Sequence, residues 1–345
     1  MALPLGSEAS TLGAEAEVPR QGASWPRYLG RKAGGAAISL AMVVLLGFFA
    51  FRMLPGDPVR SLSTGRQVSA EQLELLRRQY GLDQPLPAQF WRYLTDLLQG
   101  DLGLSYTFNR PVGSLILERL GPTLLLTGSA AVISLLLGLW LGQRAAWRRG
   151  SAFDRGQTGL ALVFWSVPTF WLGLLLLLIF GGGLRWFPTG GMVTAGSDDT
   201  GFGYLFDVAR HLVLPLVTMV AVVYAQYLMV MRASLIEEMS SDYLTTARAK
   251  GLREAEVRRK HAVPNALLPT VTLVFLTLGG LIGGAVTVET VFSWPGLGYL
   301  TFTALSTPDL PLLQGTFVVF SGIVILMNFC AELAYRVLDP RLRTG

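Results

Sequence analysis

The side chains able to carry chemistry are few. Lys32, Lys250 and Lys260 are the only lysines, and none stands in the order G-x-x-x-x-G-K followed by Ser or Thr. A loop that cradles nucleotide phosphates is therefore missing, and Lys250-Gly251 has the order reversed. Two histidines, His211 and His261, and one cysteine, Cys330, cannot assemble a zinc site on their own. No G-x-S-x-G elbow occurs, and neither histidine has a nucleophile beside it in sequence. Cys330 lies in an apolar run, so no disulfide framework is expected. These residues imply no catalysis, no metal and no cofactor bound by the chain itself.

The elements around them are built for lipid. Of 345 residues, 51% are hydrophobic and only 15% charged, and mean hydropathy is +0.47. That balance is the mark of an all-α polytopic membrane protein. The net charge of +5 is then a property of loops rather than a nucleic-acid surface. Six stretches reach the roughly 20 helical residues that a 30 Å hydrocarbon core demands. They are 34–51, 121–142, 158–180, about 211–231, about 268–290 and about 313–335. The first follows Arg27, Arg31 and Lys32 but runs straight into "RMLPGDPV" with no small-residue cleavage site, so it reads as an uncleaved span. Pro168 predicts a kink in the third.

Lys and Arg set the orientation. Segments 1–33, 143–157, 232–267 and the tail from Arg336 hold four, four, seven and three of them. The alternate segments 181–210 and 291–312 hold two and none, while the long 54–120 has seven balanced by seven acids. Both termini are therefore expected inside. The organisation reads as a partly disordered inner tail (1–33), a first span (34–53), an outer helical segment (54–120) and a five-helix core (121–345). In the outer segment, Ser69 and Gln72 have capping-box spacing, Leu73, Leu76 and Tyr80 share a face, and Gly81 is a helix stop. A second amphipathic helix carries Phe90, Trp91, Leu94, Leu97 and Leu98 as its stripe, packed on the membrane surface or on neighbouring spans.

Several spans contain residues that need an explanation. A carboxylate at the bilayer centre costs about 2.5–3.5 kcal/mol on insertion scales, which makes Glu289 a candidate for a solute path. The stretch "VETVFSWPG" equally allows Glu289 to cap or pin a turn. Trp294 reads as an interfacial anchor within that turn, with a gate as the second reading. Glu332 reads as a snorkelling or Arg-paired acid. Gly138/Gly142, Gly279/Gly283 and Gly280/Gly284 have the spacing of close helix packing.

The segment 232–267 is different. It holds seven Lys/Arg and five Asp/Glu in a chain otherwise short of charge. "SDYLTTARAK" offers Ser241 or Asp242 as N-cap and Gly251 as a stop, and "REAEVRRKHAV" predicts a second short helix closed by Pro264 and Asn265. Attraction to anionic headgroups explains the cations but not the acids or the small residues. A docking element for another protein explains both, with Tyr243, Leu244, Ala247 and Leu252 able to enter a partner's groove.

This loop resembles the signature loop of binding-protein-dependent ABC importer permeases. That family carries Glu-Ala-Ala, three residues, Gly, nine residues, then Ile-x-Leu-Pro. Here Thr245-Thr246-Ala247 take the first positions, Gly251 matches the glycine, and His261-Ala262-Val263-Pro264 end the motif. The leading acid is absent, so no role of that residue is carried over. "LPGDPV", "YGLDQPLPAQFWRYLTDLLQGDLG", "SVPTFWLG", "TVETVFSWPGLG" and "LDPRLR" are similar, in order, to the dipeptide/oligopeptide/nickel branch. The resemblance implies the type I importer permease fold: six transmembrane helices and a cytoplasmic coupling helix, in the bacterial inner membrane. It implies a second homologous permease, two cytoplasmic ATPase subunits holding ATP and Mg, an extracytoplasmic binding protein, and no nucleic acid. It assigns ATPase coupling to Asp242, Tyr243, Leu244, Thr245, Thr246, Ala247, Arg248, Gly251, Leu252 and His261. Di- or oligopeptides are the expected solute; nickel chelates, glutathione and oligosaccharides are alternatives within the same architecture. A stand-alone channel or membrane enzyme would need pore-lining charges or a catalytic constellation, and neither is found.

Overall fold

The computed structural model describes residues 25–52, 71, 74, 78 and 83–338. The expected disorder of 1–24, the Ser69/Gln72 cap, the Leu73, Leu76 and Tyr80 face, the Gly81 stop, "LPGDPV" and most of "LDPRLR" lie outside these residues. The described chain is helical, and its only extended pairing is a single bridge between Leu104 and Pro111. The helices are α1 (Trp25–Arg52), α2 (Leu86–Leu98), α3 (Val112–Trp147), α4 (Ala152–Ser166) and α5 (Thr169–Gly183). There follow α6 (Phe202–Glu238), α7 (Asp242–Ala249), α8 (Glu254–Ala266), α9 (Leu268–Val291), α10 (Leu297–Ser306) and α11 (Leu310–Leu338).

Four helices, α1, α3, α6 and α11, are each long and apolar enough to cross a membrane. Two bent pairs, α4 with α5 and α8 with α9, bring the number to six if each pair is one span. α3 and α6 have 36 and 37 residues. At 1.5 Å per residue each is roughly 55 Å long, well beyond a 30 Å core. They therefore carry their ends clear of the hydrocarbon layer, and the charged loop hangs from one of those ends.

Four features differ from expectation. The third span does not kink but breaks by 100° between α4 and α5. The cause is Pro168, whose ring holds Val167 extended (φ −80°, ψ 130°) and so forbids a helical residue at the joint. Pro264 was expected to close a helix, yet α8 runs through it. A π-helical turn, Val257–Ala262, precedes it, and Pro264 opens the fresh α-turn Val263–Ala266, where its missing N–H is not needed. Helix α10 occupies a segment expected only to link two spans. The first span also begins at Trp25 rather than Gly34, so part of the expected tail is helix.

Small residues set the closest packing. A Cβ on Gly138 would lie 2.5 Å from Tyr227 Cβ and 2.8 Å from the Tyr224 carbonyl; one on Gly142 would lie 2.8 Å from the Leu228 carbonyl. The neighbour of this glycine pair is thus α6 of the same chain. A Cβ on Gly280, Gly283 or Gly284 of α9 would meet nothing within 4 Å among neighbouring segments, so their face is open. α1 lies along α11, where Phe51 meets Phe317 edge-on and Lys32 pairs with Glu332 at 2.6 Å. Glu332 is paired, but to a lysine rather than the expected arginine. α2 docks through Phe90 and Tyr93 onto Phe48, while Trp91 and Leu98 of its expected stripe face outward.

The two glycine sets should respond differently to a methyl group. Gly138→Ala should destabilise the purified chain by about 1–3 kcal/mol, as overpacking does, visible as a lower thermal midpoint in detergent. Gly280→Ala should leave that midpoint unchanged. Equal midpoints for both would contradict the α3–α6 contact.

Candidate functional site

The charged loop is an ordered structure fixed to the helical core. α6 ends at Glu238, and Ser241 adopts the extended backbone of an N-cap (φ −74°, ψ 141°) without a side-chain cap bond. α7 then carries Asp242 in its first turn and Arg248 in its last, each sign matched to the helix dipole. Gly251 stops it in the left-handed region (φ 80°), its N–H donating to the Arg248 carbonyl at 2.9 Å. Glycine fits that backbone without strain. Arg248 reaches across the stop to Glu254 with two contacts of 3.2 Å.

One face of α7 belongs to this chain. Leu244 is 0% and Ala247 7% exposed, packed with Ala146, Met231, Leu235, Val257, Ala262 and Ala266, and Leu252 rests against the same cluster. These side chains were expected to enter a partner's groove; the structure turns Leu244 and Ala247 inward instead. The outward face carries Asp242, Thr245, Thr246, Arg248 and Ala249. Tyr243 ties the two sides together. Its hydroxyl donates to Glu238, accepts from Asn265 Nδ2 at 2.9 Å, and lies 3.3 Å from the His261 carbonyl. Burial, with Glu238 beside it, pushes the Tyr243 phenol up, so it stays a donor. His261 serves through its backbone carbonyl, which accepts from Asn265 Nδ2 at 3.2 Å, and the residue is half-buried.

A second anchor had no place among the expected site residues. Arg232, at the base of the loop, makes paired contacts to Asp154 of 2.6 and 2.8 Å. Asp154 also accepts from Gly150 N–H at 2.9 Å, and its own N–H donates to Ser151 Oγ at 3.2 Å. Its side chain is 3% exposed and that of Arg232 25%. The turn between α3 and α4 is thereby bolted to the root of the loop, and Arg258 over the Trp147 ring (5.2 Å) adds a further contact there. The sequence signal was present: Ser151-x-x-Asp154 before an apolar run is a helix-capping pattern.

Glu289 and Trp294, candidates for a path or gate, lie at the opposite end. Both are wholly buried. One Glu289 oxygen accepts from Thr123 Oγ1 at 2.7 Å, the other from the N–H groups of Gly298 and Tyr299 at 2.7 and 3.1 Å. The carboxylate thus sits at the N-terminus of α10, where free N–H groups and the dipole favour an anion. Trp294 Nε1 donates to the Pro122 carbonyl at 3.0 Å. Together they pin α3, α9 and α10; Trp294 is a buried strut, not an interfacial anchor. The open groove is elsewhere. A cavity of about 410 Å³ lies between α5, α6 and α9, lined by Thr169, Met219, Gln226, Leu273, Gly280 and Gly284 among others. Among the described residues no cluster of His, Cys, Asp and Glu could hold a metal.

Comparison with known proteins follows the same lines. The model of the binding-protein-dependent transport system inner membrane component matches residues 96–344, and that of the N-terminal part of such membrane components matches 26–127. A putative peptide permease protein of Brucella suis biovar 1 is 40% identical over 311 residues, covering 90% of this chain and 96% of that protein. The glutathione transport system permease protein GsiC of Pectobacterium atrosepticum is 39% identical over 317 residues, covering 92% and 98%. Among solved structures, an inward-facing MetNI methionine ABC transporter matches with a TM-score of 0.52 at 18% identity, over 65% of this chain and 96% of that chain. At that identity the likeness is one of fold.

Removing one member of the Asp154–Arg232 pair strands the other. Asp154→Asn should cost about 3 kcal/mol, the low end for a broken buried pair because Arg232 keeps some solvent. Limited proteolysis should then cut residues 239–265 faster. The exchange Asp154→Arg with Arg232→Asp should restore part of the protection; cleavage at the wild-type rate in Asp154→Asn would remove the pair from the account.

Proposed function

The chain belongs to the family of binding-protein-dependent transport system inner membrane components, and from that premise we propose how it works. It is a permease subunit of an ABC importer, a multi-pass component of the inner membrane. The further reading is that α7 is the coupling helix. Its outward face, Asp242, Thr245, Thr246, Arg248 and Ala249, docks on a cytoplasmic ATPase subunit that binds ATP and Mg. Its inward face, Leu244 and Ala247, transmits the movement to α3, α6 and α8.

The observation that carries this reading is the two-sidedness of α7. A helix that is merely lipid-facing has no need of a buried inner face, a tyrosine strut and an ion-paired root. A lever needs all three, because displacement at one end must reach the other without being absorbed. With the loop inside, both termini are cytoplasmic, as the distribution of Lys and Arg supports. The groove between α6 and α9, with its open glycine face, is then this chain's half of the path, completed by a second permease. An extracytoplasmic binding protein delivers the solute. Short peptides, glutathione included, are the favoured solute class, since the relatives named for a peptide and for glutathione match at nearly equal identity.

Substitutions on the two sides of α7 separate docking from folding. Thr245→Trp and Thr246→Arg add bulk to exposed positions and should leave the chain inserted and thermally unchanged while lowering solute import at least about tenfold. Gly251→Pro should do the same through the loop itself, because proline cannot adopt φ near 80° or donate to Arg248. Import at the normal rate in all three, measured in proteoliposomes with the partner subunits, would show that α7 is not the coupling element.

A further inference from the structure

At the end of the bundle opposite the charged loop, a cavity of about 180 Å³ opens between the end of α1, α2, the loop 101–106 and the start of α11. Its lining is polar. Arg52, Arg92, Asp96 and Asp101 line it, two cations and two anions, together with Gln89 and Gln314; Arg92 and Asp96 lie 4.0 Å apart, and one Asp101 oxygen accepts from Gly103 N–H at 2.8 Å. The two glutamines are 9% and 6% exposed. Four of the buried polar atoms on these residues have no hydrogen-bond partner among the described residues: Arg52 Nε and Nη1, Gln314 Nε2 and Gln89 Oε1. The orientation of the Gln89 amide is set, because its Nε2 donates to the Gln84 carbonyl at 2.7 Å. Its unpaired oxygen is therefore an acceptor, whereas the free groups of Arg52 and Gln314 are donors.

Buried polar groups are almost always paired, and a set left over around one cavity marks a place where something else supplies the partners. Arg52 is also held in place by its guanidinium lying over the Phe48 ring at 5.1 Å, so it cannot swing away to satisfy itself without losing that contact. The charge balance decides the chemistry. A lining with equal numbers of cations and anions gives an anion or a cation alone no net attraction, but it suits a molecule that carries both charges. At about 180 Å³ the cavity is on the scale of a single small molecule.

We propose that this cavity is a binding site for a small zwitterion of the size of a free amino acid, its carboxylate received by Arg52 and Gln314 and its ammonium by Gln89 Oε1 and the Asp96/Asp101 side. The site is separate from the groove between α6 and α9. It joins three helices and the loop 101–106, so occupancy would hold α2 against the ends of α1 and α11.

The test is equilibrium binding to the full chain, with its co-purifying partners, in lipid nanodiscs, without ATP. L-alanine is the probe; propionate and ethylamine, each with one of its two charges, are the controls. Saturable alanine binding below about 10 mM is expected, with neither control binding. Gln314→Leu, Gln89→Leu and Arg52→Lys each keep roughly the side-chain size, and each should weaken alanine binding about tenfold or more. Gln226→Leu in the groove should leave it unchanged. No saturable alanine binding would mean that water alone fills the cavity, and the proposal fails. Binding of propionate as strong as that of alanine, or alanine binding unchanged in the assembled variants of this cavity, overturns it equally. Because no transport is measured, either result leaves the importer reading untouched.

Discussion

In the hydrocarbon layer no water is released when one apolar helix buries another, so the helices of this chain are held by close packing and by polar contacts at their ends. The close packing is concentrated where α3 meets α6. Gly138 and Gly142 let the two backbones approach to a distance that no larger residue allows. These are also the two longest helices, and both project beyond the bilayer. Their contact therefore fixes the direction in which the charged loop is presented. A looser contact would let α7 swing relative to the bundle.

The polar contacts are concentrated at the two ends, and each end uses a buried carboxylate at the start of a helix. Asp154 sits in the first turn of α4 and receives Arg232 from the root of the loop. Glu289 reaches the start of α10 and receives Thr123, Gly298 and Tyr299. A third acid, Asp309, is buried at the start of α11 and accepts from Ser105 Oγ at 2.6 Å and from the N–H groups of Thr107 and Leu312. For Glu289 and Asp309 the free N–H groups and dipole of a helix start supply what an acid lacks inside a membrane protein; for Asp154 the Arg232 guanidinium and the Gly150 N–H do. The arrangement joins distant segments at the ends of the bundle while its middle, along α9, keeps an open face.

The spans were legible because long apolar runs have few other uses: four of the six are single long helices in the structure, and the other two fall on bent pairs of helices. Helix ends and bends were less so. The break at Pro168 reads as a kink until the extended backbone of Val167 is seen, and the π-helical turn that carries α8 through Pro264 has no sequence mark. The loop motif was legible in position but not in facing. Leu244 and Ala247 are the kind of small apolar residue that either a partner or the chain's own core can take, and only the three-dimensional neighbourhood of Met231, Leu235 and Val257 decides for the core. Glu289 was legible as an acid in need of a reason; its reason depends on Thr123, 166 positions away. Asp154 carries a local capping pattern, but its ion pair with Arg232 is 78 positions away, and Asp309 depends on Ser105 and Thr107, 204 and 202 positions away.

One face of α7 belongs to this chain; the proposed function gives the other to the ATPase. Photo-crosslinking residues placed one at a time at positions 242–249 of the assembled transporter test it most directly. The account predicts crosslinks to the ATPase from positions 242, 245, 246, 248 and 249, and none from 244 or 247. Crosslinks from 244 and 247 with silence at 245 and 246 would mean that the helix faces the other way, and the lever described here would not exist.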